Sequence, residues 1–265
     1  MFLNKSSIKV ILGLIPTILL WSSTDRLVAT ALPSESQSTP ASTRKKGWFG
    51  RLKMGNQVTR AMTYNIAKNE RNAVALLNID GKPLSWFQLD DGVMGGQSHT
   101  DLKLLVSNDK LRFQGIINCN GGGFTSIRAK LPEGVLTPEK SALKIRYRGD
   151  GKTYKVILSN GERGGPFSKV PSWQADLPTG NKQADDSDWD ETTIPFTSLV
   201  PAFGGGPRSQ PSEEEKRGYS FNPLEMKEIG LMLSLRLSDG SPNPVETFGE
   251  GIFSFSLLVD SIAFV

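Results

Sequence analysis

From Ala73 to Val265, short apolar runs follow one another between turn residues, and within most runs apolar and polar residues alternate. Alternation with a period of two places successive side chains on opposite faces of an extended strand. About ten runs have this form, and no helical pattern of comparable strength separates them. They predict an all-β fold in which antiparallel strands form a two-sheet jelly-roll sandwich over residues 73–265. The runs are AVALLNI (73–79), TDLKLLVS (100–107), KLRFQGIIN (110–118), GFTSIRAKL (123–131), ALKIRYRG (142–149), TYKVILS (153–159), SWQADL (172–177), WDETTIPF (189–196), EIGLMLSLRL (228–237) and IFSFSLLVDSIAFV (252–265).

The first 31 residues have the layout of a signal peptide. Lys5 and Lys9 precede the uncharged run VILGLIPTILLW (10–21), which is short for a bilayer-spanning helix and contains a proline. The small residues Ala29 and Ala31 then form a cleavage motif. We interpret residues 1–31 as a signal-like targeting segment, and an uncleaved membrane anchor is the alternative.

Residues 32–55 change from a Ser/Thr/Pro-rich stretch to the basic run RKKGWFGRLK (44–53). A Ser-rich, basic and acid-poor stretch is typical of an organellar transit peptide. After a signal-like segment it predicts the two-part presequence of a plastid protein. A disordered basic linker is the alternative interpretation.

A short helix is predicted over residues 56–72. Val58, Ala61, Met62 and Ile66 recur at helical spacing and form an apolar stripe. Such a stripe either packs against a neighbouring domain or lies on a membrane surface. Together with the basic run before it, this segment predicts peripheral membrane contact through residues 44–70.

The formal charge of +4 is unevenly distributed along the chain. Residues 1–72 hold 11 of the 31 Lys and Arg residues but 3 of the 27 Asp and Glu residues. The predicted sandwich is therefore net acidic. Because a nucleic-acid-binding domain usually carries positive charge on its own fold, this distribution argues against nucleic acid as a partner.

The stretch WFQLDDGVMGGQS (86–98) brings two adjacent carboxylates, Asp90 and Asp91, next to several glycines. Paired catalytic carboxylates must flank one bond, whereas neighbours on an extended chain point in opposite directions. We therefore predict a structural loop in which an aspartate accepts backbone N–H groups while glycines supply positive φ or close approach. A second glycine-rich corner is predicted in INCNGGGFTSIR (116–128). The loop residues are Asp90, Asp91, Gly92, Gly95, Gly96, Gly122 and Gly123.

Other catalytic and metal chemistry lacks the necessary residues. The chain contains one histidine, His99, and one cysteine, Cys119, so it offers no multi-histidine metal site and no intrachain disulfide. No GxSxG nucleophile elbow and no GxxxxGK[ST] phosphate loop occur. We expect no catalytic residues, no metal and no cofactor.

A basic surface is predicted on one strand. Lys144, Arg146 and Arg148 alternate and therefore share a face, and the following RGDGK turn is expected to form a hairpin that ends at Lys152. Like charges at this spacing repel one another unless acidic groups approach. We predict that these four residues bind an acidic partner, with a solvated face as the alternative. Arg128 and Lys130 are expected on a neighbouring strand.

Several of these motifs, in the same order, resemble the complex I intermediate-associated protein family. The resemblance covers roughly residues 73–265. It departs from the family after the PF strand, where the chain has a glycine run and a long polar insert over 202–223 that we expect to be a mobile loop. The motifs are WFQLDDGVMGGQS, GGGFTSIR, LKIRYRGDGKTYKVIL, WQADL, TTIPFTSLVPAFGG and EIGLMLS.

The resemblance implies a galactose-binding-domain-like jelly roll without catalytic activity. It further implies a chaperone-like assembly factor for a membrane complex, either NADH:ubiquinone oxidoreductase in mitochondria or a photosystem in plastids, with protein subunits as partners. Two other classes remain open. One is a carbohydrate-binding module of the secretory pathway that uses Trp173 or Trp189 as a stacking platform. The other is a hydrolase built on Asp90 and Asp91.

The signal-like segment predicts where the mature chain begins. Cleavage after Ala31 gives a mature protein that starts at Leu32, and removal of a transit peptide moves the start further along the chain. N-terminal sequencing of protein isolated from cells measures this directly. An intact Met1 or Phe2 would contradict cleavage and favour the membrane anchor.

Overall fold

The computed structural model describes residues 68, 74–79, 81–101, 106–107, 110–162, 170–180, 188–203 and 212–265. The predicted targeting segment (1–31) and linker (32–55) lie outside the described residues, as does the predicted helix (56–72) apart from Lys68. Among the described residues, no helix is both long and apolar enough to cross a membrane.

The described strands form two antiparallel sheets. One sheet has seven strands in the order β1-β2-β6-β12-β8-β9-β11, and the other has the order β10-β7-β13-β5-β3 with β4 paired to β5. This arrangement confirms the predicted all-β, two-sheet jelly-roll sandwich. The strands are β1 Val74–Ile79, β2 Lys82–Gln88, β3 His99–Thr100, β4 Val106–Ser107, β5 Lys110–Asn118, β6 Phe124–Lys130, β7 Ala142–Arg148, β8 Thr153–Ser159, β9 Ser172–Pro178, β10 Asp190–Pro195, β11 Val200–Ala202, β12 Glu228–Ser234 and β13 Ile252–Phe264.

The core fills the space between the sheets, and alternation along the strands explains which side chains enter it. On β7, Leu143, Ile145 and Tyr147 are buried, whereas the residues between them point outward. An aromatic cluster joins the two layers: Phe113 on β5 lies with its ring centroid 4.9 Å from that of Phe255 and 6.0 Å from that of Tyr154. Tyr154 belongs to the opposite sheet, so these edge-on contacts hold the sheets together.

The structure contains strands that the alternation pattern does not reveal. β2 includes the first residues of the WFQLDD motif, and both Trp86 and Phe87 are buried. Because the two faces of this strand are covered there, its apolar residues are adjacent rather than alternating. β11 is three residues long and pairs with β9.

The predicted RGDGK hairpin is wrong. β7 belongs to the six-stranded sheet and β8 to the seven-stranded sheet, so residues 149–152 form a corner between the two layers. The Asp150 carboxylate stabilises this corner by accepting hydrogen bonds from the Tyr154 hydroxyl (3.0 Å) and the Ser256 N–H (2.8 Å). The expected proximity of Arg128 and Lys130 to the basic strand is wrong for the same reason, since both lie on β6 of the other sheet.

The described part of the polar insert, residues 202–203 and 212–223, contains a short helix and specific contacts with the sandwich, and its expected mobility stays a prediction. Ser212 and Glu215 form a reciprocal capping box at the start of the helix Glu213–Arg217. Phe221 packs against Phe196, with ring centroids 4.8 Å apart, and against Trp173. Val245–Phe248 is another short helix of the described residues, which also include 3-10 turns at Asp91–Met94, Phe196–Ser198 and Pro223–Glu225.

Candidate functional site

The loop after β2 carries the chain from the seven-stranded sheet to β3 of the six-stranded sheet, and Asp90 lies at this crossover. Its carboxylate accepts hydrogen bonds from the Thr100 N–H (2.9 Å) and the Thr100 hydroxyl (2.9 Å). It also accepts one from the Thr125 hydroxyl at 2.8 Å. Thr100 lies on β3 and Thr125 on β6, so one buried carboxylate connects the two sheets.

Asp91 connects a different pair of segments. Its carboxylate accepts hydrogen bonds from the Ser98 N–H (2.8 Å), the Ser98 hydroxyl (2.6 Å) and the Gly123 N–H (2.7 Å). Ser98 Oγ in turn accepts from the Asn118 N–H at 3.0 Å. Asp91 is 1% exposed, so these bonds compensate for the loss of water around the carboxylate.

Four of the five glycines predicted in the two loops have one of two structural roles. A Cβ on Gly96 or Gly122 would overlap the Asp91 carboxyl group, so both positions are needed for close approach. Gly95 has φ of 92° and Gly123 has φ of 126°, a region that favours glycine. Gly92 has neither feature, because its φ is ordinary and no atom lies within 4 Å of a Cβ built there.

This geometry defines what the two carboxylates can do chemically. Both are buried, and each is used by hydrogen bonds to the protein itself. Burial raises the pKa of Asp90, although the hydrogen bonds from Thr100 and Thr125 partly oppose that effect. The carboxylates address separate groups of donors, so they are not arranged to flank one bond as a glycosidase pair does.

The predicted basic residues Lys144, Arg146 and Arg148 do share the outer face of β7. The structure also brings acidic residues from neighbouring strands onto that face. Lys144 Nζ lies 2.8 Å from Glu191 Oε1, and Arg146 Nη1 lies 2.8 Å from Asp260 Oδ2. The expected repulsion between these cations is therefore relieved within the chain, by Glu191 and Asp260.

A tryptophan and a further lysine complete this outer face. Lys110 on β5 lies 2.6 Å from Asp260 Oδ1, so Asp260 is shared by two cations. The Trp189 ring is contacted by Lys110 Nζ at 4.1 Å from the ring centroid and by the Arg148 guanidinium at 4.3 Å. We call Lys110, Lys144, Arg146, Arg148, Glu191, Asp260 and Trp189 the basic face.

Lys152 does not belong to the basic face. Its ammonium donates to the Phe248 carbonyl oxygen (3.1 Å) and lies 4.7 Å from the Phe253 ring centroid. These internal contacts hold Lys152 near the start of β13, whereas Arg148 is paired with Leu258 in the middle of that strand. The structure therefore separates Lys152 from the other three predicted residues.

Sequence reasoning did not identify several residues that build these regions. Thr100 and Thr125 give no signal, since threonine is common in strands. Asp260 gives a weak one, because it is the single acidic residue within the apolar run IFSFSLLVDSIAFV. Glu191 resembles an ordinary outward strand residue, and nothing local links it to Lys144.

Comparison with known proteins places the molecule first in a class and then in a family. The topology defines a β-sandwich with two antiparallel sheets. Residues 77–257 match the family described as complex I intermediate-associated protein 30. The match covers more than half of the chain, and the protein belongs to this family. No curated protein matches the sequence significantly.

Solved structures similar to this chain are distant. A family 11 carbohydrate-binding module of a cellulosomal cellulase from Clostridium thermocellum is 13% identical, with 69% of this chain and 86% of that chain covered and a TM-score of 0.42. The K1 cleaved adhesin domain of Lys-gingipain from Porphyromonas gingivalis is 12% identical, with coverage of 67% and 88% and a TM-score of 0.30. These similarities are too weak to bear on function.

We expect Gly96→Ala and Gly122→Ala to lower the free energy of unfolding by about 1–3 kcal/mol, because the added methyl group displaces a buried carboxylate from its donors. Gly92→Ala is the matched control, and we expect a change within about 0.5 kcal/mol. Urea unfolding followed by circular dichroism measures all three. Equal stability of Gly96→Ala and Gly92→Ala would contradict the structural role of the loop.

The carboxylates of Asp90 and Asp260 predict opposite pH dependences of stability. The pKa of Asp90 lies above its ordinary value of 3.8, so the wild type gains stability relative to Asp90→Asn as pH falls from 7 through that raised pKa. Burial favours a higher pKa for Asp260, but Lys110 and Arg146 outweigh it and lower the pKa below 3.8. The advantage of the wild type over Asp260→Asn is therefore present above pH 3.8 and is lost as pH falls through the lowered pKa.

Unfolding free energies of the wild type and both variants, measured between pH 7 and pH 3, test these signs. For each variant, the quantity to compare is its difference from the wild type in unfolding free energy. If this difference changes with pH in the same direction for both variants, one of the two pKa shifts has the wrong sign.

Proposed function

We propose that this protein is a non-catalytic assembly factor that binds protein subunits of a membrane complex while the complex is being built, with respiratory complex I as its client. Membership of the complex I intermediate-associated protein 30 family carries this proposal, because the match spans most of the sandwich. The use of Asp90 and Asp91 as buried hydrogen-bond acceptors supports the non-catalytic part.

The basic face is the proposed partner-binding surface. The side chains of Lys144 and Arg146 are 42% and 45% exposed, so a partner can reach their charged ends. Ion pairs at such exposure contribute only about 0–1 kcal/mol each, and a partner's carboxylates can replace Glu191 or Asp260 at little cost. Electrostatic attraction of this kind mainly accelerates association and weakens as salt increases.

The proposed location is the mitochondrion, in accordance with the family description. A plastid location with a photosynthetic complex as client is the alternative, and it derives from the two-part presequence predicted over residues 1–55. Peripheral membrane contact through residues 44–70 would bring the sandwich close to membrane subunits in either organelle.

The observations on tryptophan do not favour the carbohydrate-binding alternative. Trp173 is 6% exposed and forms part of the core. Trp189 is only partly exposed, and its ring is already contacted by three cationic side chains. Sugar-binding platforms need an aromatic face that a pyranose ring can cover, and neither of these two residues offers a bare one.

We expect the triple variant Lys144→Gln, Arg146→Gln, Arg148→Gln to lose most of its co-purifying subunits at physiological salt, because the variant removes the attraction for acidic partner groups. The tagged full-length chain is purified from organelle membranes and its partners are identified by mass spectrometry. The matched control is Lys82→Gln, Lys130→Gln, Lys227→Gln, which removes three exposed cations associated with the seven-stranded sheet.

Thermal unfolding verifies that both triple variants remain folded. Loss of partners from the first variant alone supports the proposed surface. Equal recovery of partners by the two variants would show that the basic face is merely solvated. Recovery of photosystem subunits or glycoproteins in place of respiratory subunits would overturn the proposed client.

A further inference from the structure

A cavity of about 530 Å³ opens on the outer face of the seven-stranded sheet. Its floor is formed by side chains of β8, β9 and β12 that alternate with core residues. In the strand register, Lys155 is paired with Met232 on one side and with Asp176 on the other. The core neighbours of Lys155 on its own strand, Tyr154 and Val156, point to the opposite face.

Lys155 is the unusual residue of this cavity. It is 6% exposed, and its ammonium forms neither a hydrogen bond nor a close ion pair with any residue that the structure describes. The nearby Asp176 carboxylate is already used, since it accepts hydrogen bonds from the Ser238 N–H (2.8 Å) and the Ser238 hydroxyl (2.9 Å). The Lys155 side chain is thus largely buried without a protein partner for its charge, which favours a ligand that supplies one.

The surroundings of the cavity are held in place by their own hydrogen bonds. Arg236 Nη1 donates to the Gly240 carbonyl oxygen at 3.1 Å, and the Asp239 carboxylate accepts from the Ser241 N–H at 2.8 Å. Phe203 forms an apolar wall and is fixed by edge-on contact with Tyr219 at 5.0 Å. The cavity is therefore formed before any ligand arrives.

The charges around Lys155 come from several elements. Arg128 on β6, Asp176 on β9 and Asp239 after β12 act on it electrostatically, and the Lys216 and Arg236 side chains also line the cavity. Burial is the largest influence and lowers the pKa of Lys155 to about 8, against the opposing effect of Asp176. Two of these cations already have acidic partners, because Lys216 Nζ lies 2.7 Å from Glu213 Oε1 and Arg128 Nη1 lies 3.9 Å from Glu228 Oε1. Of the two lysines at the cavity, Lys155 is therefore the one available to an anionic ligand.

We propose that this cavity binds a small organic monocarboxylate, whose carboxylate pairs with the Lys155 ammonium while its apolar body lies against Phe203 and Met232. The single charge of the Lys155 ammonium matches one negative charge, and the mixed apolar and polar lining suits a small molecule. The site lies on the sheet opposite the basic face, so it is a binding activity additional to the assembly role.

Benzoate is a suitable probe, and benzamide is its neutral analogue of the same shape. In calorimetric titrations of the full chain, we expect benzoate to bind at least about tenfold more tightly than benzamide, because only benzoate forms a charge-assisted bond with the ammonium. Lys155→Met should remove this preference for benzoate. Lys227→Met, which changes an exposed lysine outside the cavity, should retain it.

The affinity for benzoate should fall about tenfold per pH unit above pH 8, where Lys155 loses its proton.

A second measurement needs no variant. Reductive methylation with ¹³C-formaldehyde labels lysine side chains for NMR, and the pH midpoint at which the Lys155 resonance titrates should rise when benzoate is added.

Equal binding of benzoate and benzamide by the wild type would overturn the proposal, as would a Lys155 resonance that benzoate leaves unchanged. If Lys155→Met does not fold, the labelled wild type still decides the question. Because the basic face is on the other sheet, failure here leaves the partner-binding result unaffected, and the converse also holds.

Discussion

The sandwich depends on two adjacent carboxylates at the point where the chain crosses from one sheet to the other. Asp90 receives hydrogen bonds from β3 and β6, and Asp91 receives them from the residues just before those same strands. Together they fix where two strands of different sheets begin. A buried donor that loses its partner costs about 1–3 kcal/mol, so several such losses would consume much of a domain's stability of roughly 5–15 kcal/mol.

The strands were predictable because a sheet with one face in the core requires alternation, and β7 and β13 show that pattern clearly. β2 was not predictable by this rule, since Trp86 and Phe87 are both buried. The sequence also did not reveal that residues 149–152 form a corner between the sheets, since a hairpin was predicted there. Glycine and aspartate occur in hairpins and in inter-sheet connections alike, and only the pairing of β8 with β9 and β12 distinguishes the two.

The two candidate regions differ in how far sequence determines them. The acidic loop is local, so its aspartates and glycines were recognisable from composition, although Gly92 has no evident role in the geometry. The basic face is not local: Arg146 and Asp260 are 114 residues apart in the chain. Lys155 likewise occupies an outward position typical of a solvated lysine, yet it is 6% exposed, because β11, Phe203 and the loop after β12 build a cavity around it.

Asp260 has a consequence for any acidic molecule that meets the basic face. It already forms ion pairs with Lys110 and Arg146, the same pairs that a carboxylate of the partner would form. Docking therefore exchanges one carboxylate for another, and the net gain is the difference between two similar interactions. An exchange of this kind is readily reversed. The Asp260 carboxylate stays attached to the chain beside its cations, at a high effective concentration, and binds them again when the partner's carboxylate dissociates.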